Sequence, residues 1–440
     1  MTHLTRSAFS IGATAALLAG CGGSQPSIGA PGAMPQSAAL LPAHAVARRE
    51  RALSYQVLYR FSSESHARGG ANPDGGLLDV RGTLYGTTQA GGANVCSGLD
   101  GCGTVFRISP TGAKKKTLYR FGVGNPDDGA SPTGDLIYLN GRLYGTTFFG
   151  GFCLRYVSGT VYEISTTGTE KVLTSFCASD SSGNPTGGVV NVNGTLYGTE
   201  GLSTYGDVYS VSTSGAYKVL HAFRGGYGDG ASPDASLLNV KGTLYGTTLH
   251  GGSGRDGACY YNGGCGTVYS VTTSGVENVL YSFQGGADGW QPFSRLIDVN
   301  GTLYGTTEYG GGFGCRGQRF YWGCGTVYSI TTSGTEKVLY RFTGGSDGAN
   351  PNAGLVEIRG RLYGTTSAGG TAGRGTVFSA DKSGKIGGEQ VLHSFGGPPD
   401  GAEPYADLIE INGTLYGTTY DGGQSGCGSK GCGTVFALTP

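Results

Sequence analysis

Apolar residues along this chain come in short runs, and four kinds of run recur in a fixed order from Val57 to the C-terminus. The first is Val57-Leu58-Tyr59-Arg60-Phe61, with relatives ending at Phe121, Phe176, Phe223, Phe283, Phe342 and Phe395. The second is a small run such as Leu77-Leu78-Asp79-Val80. The third, Leu-Tyr-Gly-Thr-Thr, starts at Leu84, Leu143, Leu244, Leu303, Leu362 and Leu415; at Leu196 it returns with Glu200 in place of the last threonine. The fourth is Gly103-Thr104-Val105-Phe106-Arg107-Ile108 and its kin. Each run has about five residues, the commonest strand length. The tyrosines of the third run, at 85, 144, 197, 245, 304, 363 and 416, are 59, 53, 48, 59, 59 and 53 residues apart.

Four short strands in a unit of about 50 residues, seven times over, predict an all-β, seven-bladed β-propeller with four-stranded blades. A parallel β-helix would favour a shorter period and fewer tight hairpins. Turn chemistry orders the strands. Between runs two and three lie Arg81-Gly82, Asn140-Gly141, Asn193-Gly194, Lys241-Gly242, Asn300-Gly301, Arg359-Gly360 and Asn412-Gly413. Asn-Gly between apolar runs marks a two-residue hairpin, because both central residues take positive φ. Thr167-Gly168, Ser274-Gly275 and Ser333-Gly334 play the same part between run four and the next run one. Run two is then strand a, innermost; the Leu-Tyr-Gly-Thr-Thr run is b, the Gly-Thr-Val run c and the Val-Leu-Tyr-Arg-Phe run d. Counted this way, the first d strand has no c before it and the last c has no d after it. Val57–Phe61 is therefore expected to close the ring beside Thr434–Leu438, removing two free sheet edges.

Composition supports strands and narrows the function classes. The 87 glycines follow no Gly-X-Y period, which excludes collagen. Two methionines against 27 tyrosines, with many Thr and Val, favour strands over helices. Thirty basic residues balance thirty acidic ones, so no basic stripe argues for nucleic acid. Residues 1–20 have a positive start at Arg6 and an apolar run from Ala8 to Leu18. At their end Leu18-Ala19-Gly20 runs into Cys21, a set that resembles the bacterial lipobox. That resemblance implies a lipid on Cys21, a membrane anchor at the mature N-terminus, and, with Gly22 next, sorting to the outer membrane or cell surface. Residues 21–54, rich in Ala, Pro, Gly and Ser, read as a flexible tether, leaving 55–440 for the propeller, expected as a monomer.

All the turns from a to b are tight, so one face of the ring is minimal. Insertions and internal cysteines fall in the b–c and d–a loops of the other face. Without Cys21 ten cysteines remain, an even number for an exported chain. Four pairs sit within single b–c loops: Cys96/Cys102, Cys259/Cys265, Cys315/Cys324 and Cys427/Cys432. Cys153 and Cys177 meet on the same face as the fifth pair. No histidine clusters with them, which argues against zinc at the cysteines. The Asp-Gly steps at Asp74, Asp128, Asp229, Asp288, Asp347 and Asp400 read as aspartates capping their own d–a turns rather than calcium ligands, one per blade being too few. No cofactor or metal is expected. The b–c loops of blades four and five, 249–265 and 308–324, are the longest and stand between the short ones of blades three and six, suggesting a groove. Its candidate ligand-binding residues are His250, Tyr260, Tyr261, Trp290, Glu308, Tyr309, Phe320, Tyr321 and Trp322, suited to stacking on sugar rings or gripping a protein. His250 and Glu308 are the one acid–base pairing to test. The alternative for the aromatics is that they pack the long loops together.

The seven units, with LYGTT, CGTVF, VLY-x-F and DGA-x-P in register, resemble the tandem GloVer repeat of exported bacterial proteins with differing anchors, the choice-of-anchor group. Blade three departs: Glu200 replaces a threonine, Asp207 replaces the Thr of Gly-Thr-Val, and the cysteine pair and Asp-Gly are missing. The resemblance implies an exported, surface-associated protein and supplies no catalytic residues. No G-x-S-x-G, H-E-x-x-H or phosphate-binding loop is present. The reading is a lipid-anchored binding or scaffolding propeller, its partner a glycan or an envelope protein. The alternatives are a carbohydrate- or polymer-processing enzyme and a structural component of the cell envelope.

Overall fold

The computed structural model describes residues 53–440 except 63–68, 93–95, 97–100, 124–126, 152–157, 177–183, 202–204, 255–258, 260–262, 313–314, 316–321, 386–387, 425–426 and 428. The expectations for Cys21, the signal segment and the tether, for the Cys153–Cys177 pair, and for Tyr260, Tyr261, Phe320 and Tyr321 lie outside the described residues.

Every named element among the described residues is a strand. Seven antiparallel four-stranded sheets form the blades of a propeller. Blade one runs a (Leu78–Val80), b (Thr83–Thr88), c (Thr104–Ile108), d (Lys116–Arg120). Blade seven takes a (Ile409–Ile411), b (Thr414–Thr419) and c (Thr434–Thr439) from the C-terminal end and its d strand, Ser54–Arg60, from the N-terminal end. The register runs from Ser54 opposite Thr439 to Arg60 opposite Thr434, with a bulge between Val57 and Tyr59. The expected closure is thus realised.

The a–b hairpins follow their turn chemistry. Arg81, Asn140, Asn193, Lys241, Asn300, Arg359 and Asn412 all sit near φ +50°, each followed by a positive-φ glycine. A side chain three residues before that glycine accepts its N–H: Asp79 from Gly82, Asn191 from Gly194, Asn239 from Gly242 and Asp298 from Gly301, each at 2.9 Å. Blade two has the exposed Tyr138 at this position and Gly141 as the glycine. Tyr138→Asp is expected to supply the missing acceptor and raise stability by about 0.5–1 kcal/mol in urea unfolding; an unchanged or lower midpoint would count against the turn reading.

Blades are joined by one repeated ring pair. The phenylalanine ending each d stretch packs edge-on against the c-strand aromatic of the next blade, from Phe176–Tyr209 at 4.9 Å to Phe61–Phe106 at 5.6 Å across the closure. The c-strand ring lies over the glycine of the b strand: a Cβ on Gly246 would stand 2.5 Å from the Tyr269 hydroxyl, so only glycine fits. The b-strand tyrosines are themselves buried, 3–9 % exposed, and serve packing. The last threonine of b and the first of c bond through their hydroxyls, as in Thr88–Thr104 at 2.8 Å. Blade three substitutes Glu200 and Asp207; Glu200 is fully buried and accepts the Tyr217 hydroxyl at 2.6 Å.

Outer contacts between blades follow a second pattern. The d-strand tyrosine donates to the aspartate of its own d–a turn: Tyr119 to Asp128, Tyr281 to Asp288 at 3.1 Å, Tyr340 to Asp347 at 3.0 Å. These aspartates also accept turn amides, from Gly122, Gln284 and Thr343. The next blade's d strand brings a glutamate to the same place: Glu170, Glu336 and Glu389, each buried enough to feel that aspartate's charge. Asp229 and Asp400 cap in the same way through Arg224 and Gly396. Asp74 does not. It follows Pro73 instead of preceding the proline, and it turns to the ring axis.

Disulfides join Cys96–Cys102, Cys259–Cys265, Cys315–Cys324 and Cys427–Cys432, all in b–c loops. Such bonds belong to an exported protein in an oxidising compartment.

Candidate functional site

Each d–a loop enters its a strand through a proline: Pro73, Pro132, Pro185, Pro233, Pro292, Pro351 and Pro404. The residue after the proline and the one two further on lie just ahead of the innermost strand, at the inner end of each blade. Around the ring the first position reads Asp74, Thr133, Thr186, Asp234, Phe293, Asn352, Tyr405, and the second Gly76, Asp135, Gly188, Ser236, Arg295, Gly354, Asp407. Most of these side chains line one axial funnel of about 750 Å³ that opens on the loop-bearing face. Gln89, Phe148, Phe149, Glu308 and Tyr420, from the beginnings of b–c loops, form its rim. The Tyr420 hydroxyl donates to Gln89 at 2.7 Å, tying blade seven to blade one there. The volume falls within the range of small-molecule sites.

The second-position residues lie deeper and meet across the axis. Arg295 Nε donates to Asp407 Oδ2 at 2.9 Å, although blade six stands between their two blades. Asp407 also accepts the Gly354 amide, and Asp135 accepts the Gly76 amide at 2.6 Å. Glycine at 76 and 354 allows this: a Cβ on either would stand 2.8 Å from the neighbouring carboxylate. Asp135, Asp407 and Arg295 thus plug the narrow end. Above them Thr186 donates its hydroxyl to Asp234 Oδ1 at 3.2 Å.

Five carboxyl groups, Asp74, Asp135, Asp234, Glu308 and Asp407, face one guanidinium. Burial is the first cause that raises the proton affinity of four of them, Asp74, Asp135, Asp234 and Glu308. Burial, then the charge of Asp135, pushes Asp74 up to about 6. Burial pushes Asp234 up to about 7 against the Thr186 hydrogen bond. Burial and then Asp407 raise Asp135, with Arg295 and the Gly76 amide opposing. Burial raises Glu308, opposed by Tyr309. Asp407 in turn holds the Arg295 proton more tightly.

The residues expected from the sequence are distributed differently. Trp290 is 2 % exposed and packs against Tyr309 and Trp322, with centroids 5.3 and 5.2 Å away; Tyr309 and Trp322 stand 5.5 Å apart. The three rings join the apolar cluster around Cys259 and Cys265, so they pack the loops of blades four and five together. His250 extends a two-residue strand paired with Gly230–Ala231 and faces a separate cavity of about 410 Å³ with Tyr205 and Tyr227. Burial lowers its proton affinity. Glu308 lines the axial funnel, so the two members of the expected acid–base pairing border different cavities. Asp74, Asp135, Asp234, Arg295 and Asp407 were not among the expected site residues. The signal for them is the variation at two positions between a repeated proline and a repeated apolar run.

The family model described as Gloeobacter/Verrucomicrobia repeat matches residues 48–260 and 318–440, more than half of the chain. No curated protein matches. Among solved structures, hydrazine synthase of Kuenenia stuttgartiensis is 15 % identical, with 80 % of this chain and 94 % of that one covered and a TM-score of 0.51. The PQQ-bound aldose sugar dehydrogenase of Streptomyces coelicolor is 14 % identical over 88 % of this chain and 98 % of that one, with a TM-score of 0.43. At such identities the likeness is one of fold.

Proposed function

Because the chain belongs to the Gloeobacter/Verrucomicrobia repeat family, whose description names a repeat and no reaction, we propose that it is a binding module. In this reading it is exported and held to the outer membrane by lipid on Cys21, and it takes an amino-sugar ligand into the axial funnel. The observation that carries the reading is the funnel's lining: five carboxyls against one guanidinium that is already paired with Asp407. Such a lining favours a ligand with positive charge. Hydroxyl and amide groups at Thr133, Thr186, Ser236 and Asn352 suit a polyhydroxylated body, and Phe148, Phe149, Phe293, Tyr405 and Tyr420 offer ring faces for stacking. Carboxylates that converge on a metal ion would need to lie close together; among the described residues the one group that does so is elsewhere.

The test is calorimetric titration of the folded propeller at pH 7.5 with chitosan oligomers, N-acetylated chitin oligomers and spermidine. The free-amine sugars are expected to bind at least about tenfold more tightly than their acetylated counterparts, the worth of one charge-assisted contact. Asp234→Asn is expected to weaken them by a similar factor without lowering the melting temperature. Equal affinity for both sugars, or none for either, would overturn the amino-sugar reading. Spermidine binding as tightly as the sugars would reduce it to recognition of any organic cation. A second reading, a sugar-processing enzyme, draws on Asp234 being poised near 7 like a general acid. Released shorter oligomers in the same mixtures would favour it.

A further inference from the structure

Three of the outer junctions between blades carry tyrosine, aspartate and glutamate, and the tyrosine hydroxyl fills the space at the aspartate. Between blades three and four the tyrosine is replaced by His221, beside Asp229 of the d–a turn and Glu277 at the start of the next d strand. The imidazole Nε2 stands 3.7 Å from Asp229 Oδ1, too far for a hydrogen bond. Both Nε2 of His221 and Oε1 of Glu277 are buried atoms with no hydrogen-bond partner. One ligand atom from each of the three residues lies within 4.8 Å of the others. A cavity of about 500 Å³ opens over them, with Arg224 at its edge. The junction between blades six and seven also has a histidine, yet there His393 Nε2 bonds Asp400 at 3.0 Å and the third corner is Tyr55, stacked on the imidazole at 3.5 Å.

We propose that His221, Asp229 and Glu277 bind a divalent transition-metal ion of the zinc class and so staple blade three to blade four. One imidazole nitrogen and two carboxylates form a mixed N/O donor set for such an ion, and the cavity leaves a fourth position for water. Calcium is a poor match, since it asks for six or more oxygens. Binding would draw the three ligand atoms, now within 4.8 Å of one another, closer together around the ion. Asp229 is already oriented by the amides of Arg224 and Gly230, the kind of support that fixes a ligating carboxylate. The site owes nothing to the axial funnel.

The experiment uses the chelator-stripped full propeller, titrated with ZnCl2 and separately with CaCl2, reading heat and melting temperature. Zinc is expected to bind at one site and raise the melting temperature as its concentration grows, while calcium does neither. His221→Tyr restores the residue that three other junctions hold and should fold normally, yet lose at least about tenfold in zinc affinity. Glu277→Gln should lose affinity without gaining a tyrosine. No zinc binding by the wild type, or equal binding and stabilisation in His221→Tyr, would overturn the proposal.

Discussion

A propeller that starts at residue 63 instead of residue 53 is expected to lose its cooperative unfolding transition, because the missing segment closes the ring. Ser54–Arg60 pairs along the whole of Thr434–Thr439, and the Phe61 amide adds a bond to the Gly433 carbonyl at 3.0 Å. The segment also reaches both neighbouring blades. Tyr55 donates its hydroxyl to Asp400 at 2.6 Å and stacks on His393 of blade six, and Arg60 Nε donates to the Pro399 carbonyl at 2.7 Å. Phe61, fully buried, supplies the ring pair with Phe106 of blade one, where the Lys115 ammonium lies over Tyr59, Phe61 and Phe106. Without the segment, blade seven has an open edge, its interface with blade one loses the Phe61–Phe106 pair, and its interface with blade six loses the Tyr55–His393 stack. Phe61→Ala isolates the interface from the strand pairing and should cost about 3–5 kcal/mol, the range for truncating a buried phenylalanine. Thermal melts followed by circular dichroism decide it. A truncated chain that melts cooperatively at the full-length temperature would sink the closure, and a Phe61→Ala cost under about 1 kcal/mol would sink the interface.

Much of this architecture is legible in the chain because its determinants are local. A two-residue hairpin needs positive φ at both central residues, so Asn-Gly announces itself, and the copies with Arg81, Lys241 and Arg359 follow by register. Counting strands then forces the closure. The funnel is different. It draws one or two residues from each of seven separated loops, and their meeting depends on the ring being complete. No local pattern says that Arg295 will reach Asp407 across the axis. Asp74 shows how a repeat can mislead: Asp74-Gly75 spells the same dipeptide as Asp128-Gly129, but it comes after its proline and so one step further toward the axis. The loop aromatics illustrate another limit. Trp290, Tyr309 and Trp322 have the same composition whether they face a ligand or one another, and only the ring contacts distinguish the two.

Stability of the ring is expected to fall as pH rises from about 5 to 8, because the outer junctions bury paired acids. Glu170, Glu336 and Glu389 are pushed up to about 7, 8 and 7, in each case by burial first and then by Asp128, Asp288 or Asp347 beside them. Glu336 and Asp288 share a hydrogen bond that requires one proton between them. In the unfolded chain a glutamate titrates near its ordinary value of 4.5. Below that value both states hold the proton and the junctions are at full strength. Between about 4.5 and 8 the unfolded chain gives the proton up first, so unfolding becomes progressively easier; above the folded values the difference is constant. Asp400 runs the other way: against burial, hydrogen bonds from His393, Tyr55 and two backbone amides hold it at about 2, so its contribution is lost only in strong acid. The buried Asp74 and Asp234 of the funnel add to the decline. The three glutamates are roughly half exposed, and solvent screening reduces their combined effect to about 2–4 kcal/mol. Glu336→Gln separates the junction from the funnel, since its amide can donate to Asp288 at every pH. It is expected to match the wild type at pH 5 and exceed it by about 1 kcal/mol at pH 8 in urea unfolding. Parallel pH profiles for the two proteins, or a wild type that gains stability from pH 5 to 8, would show that these carboxyls are ionised and separately solvated.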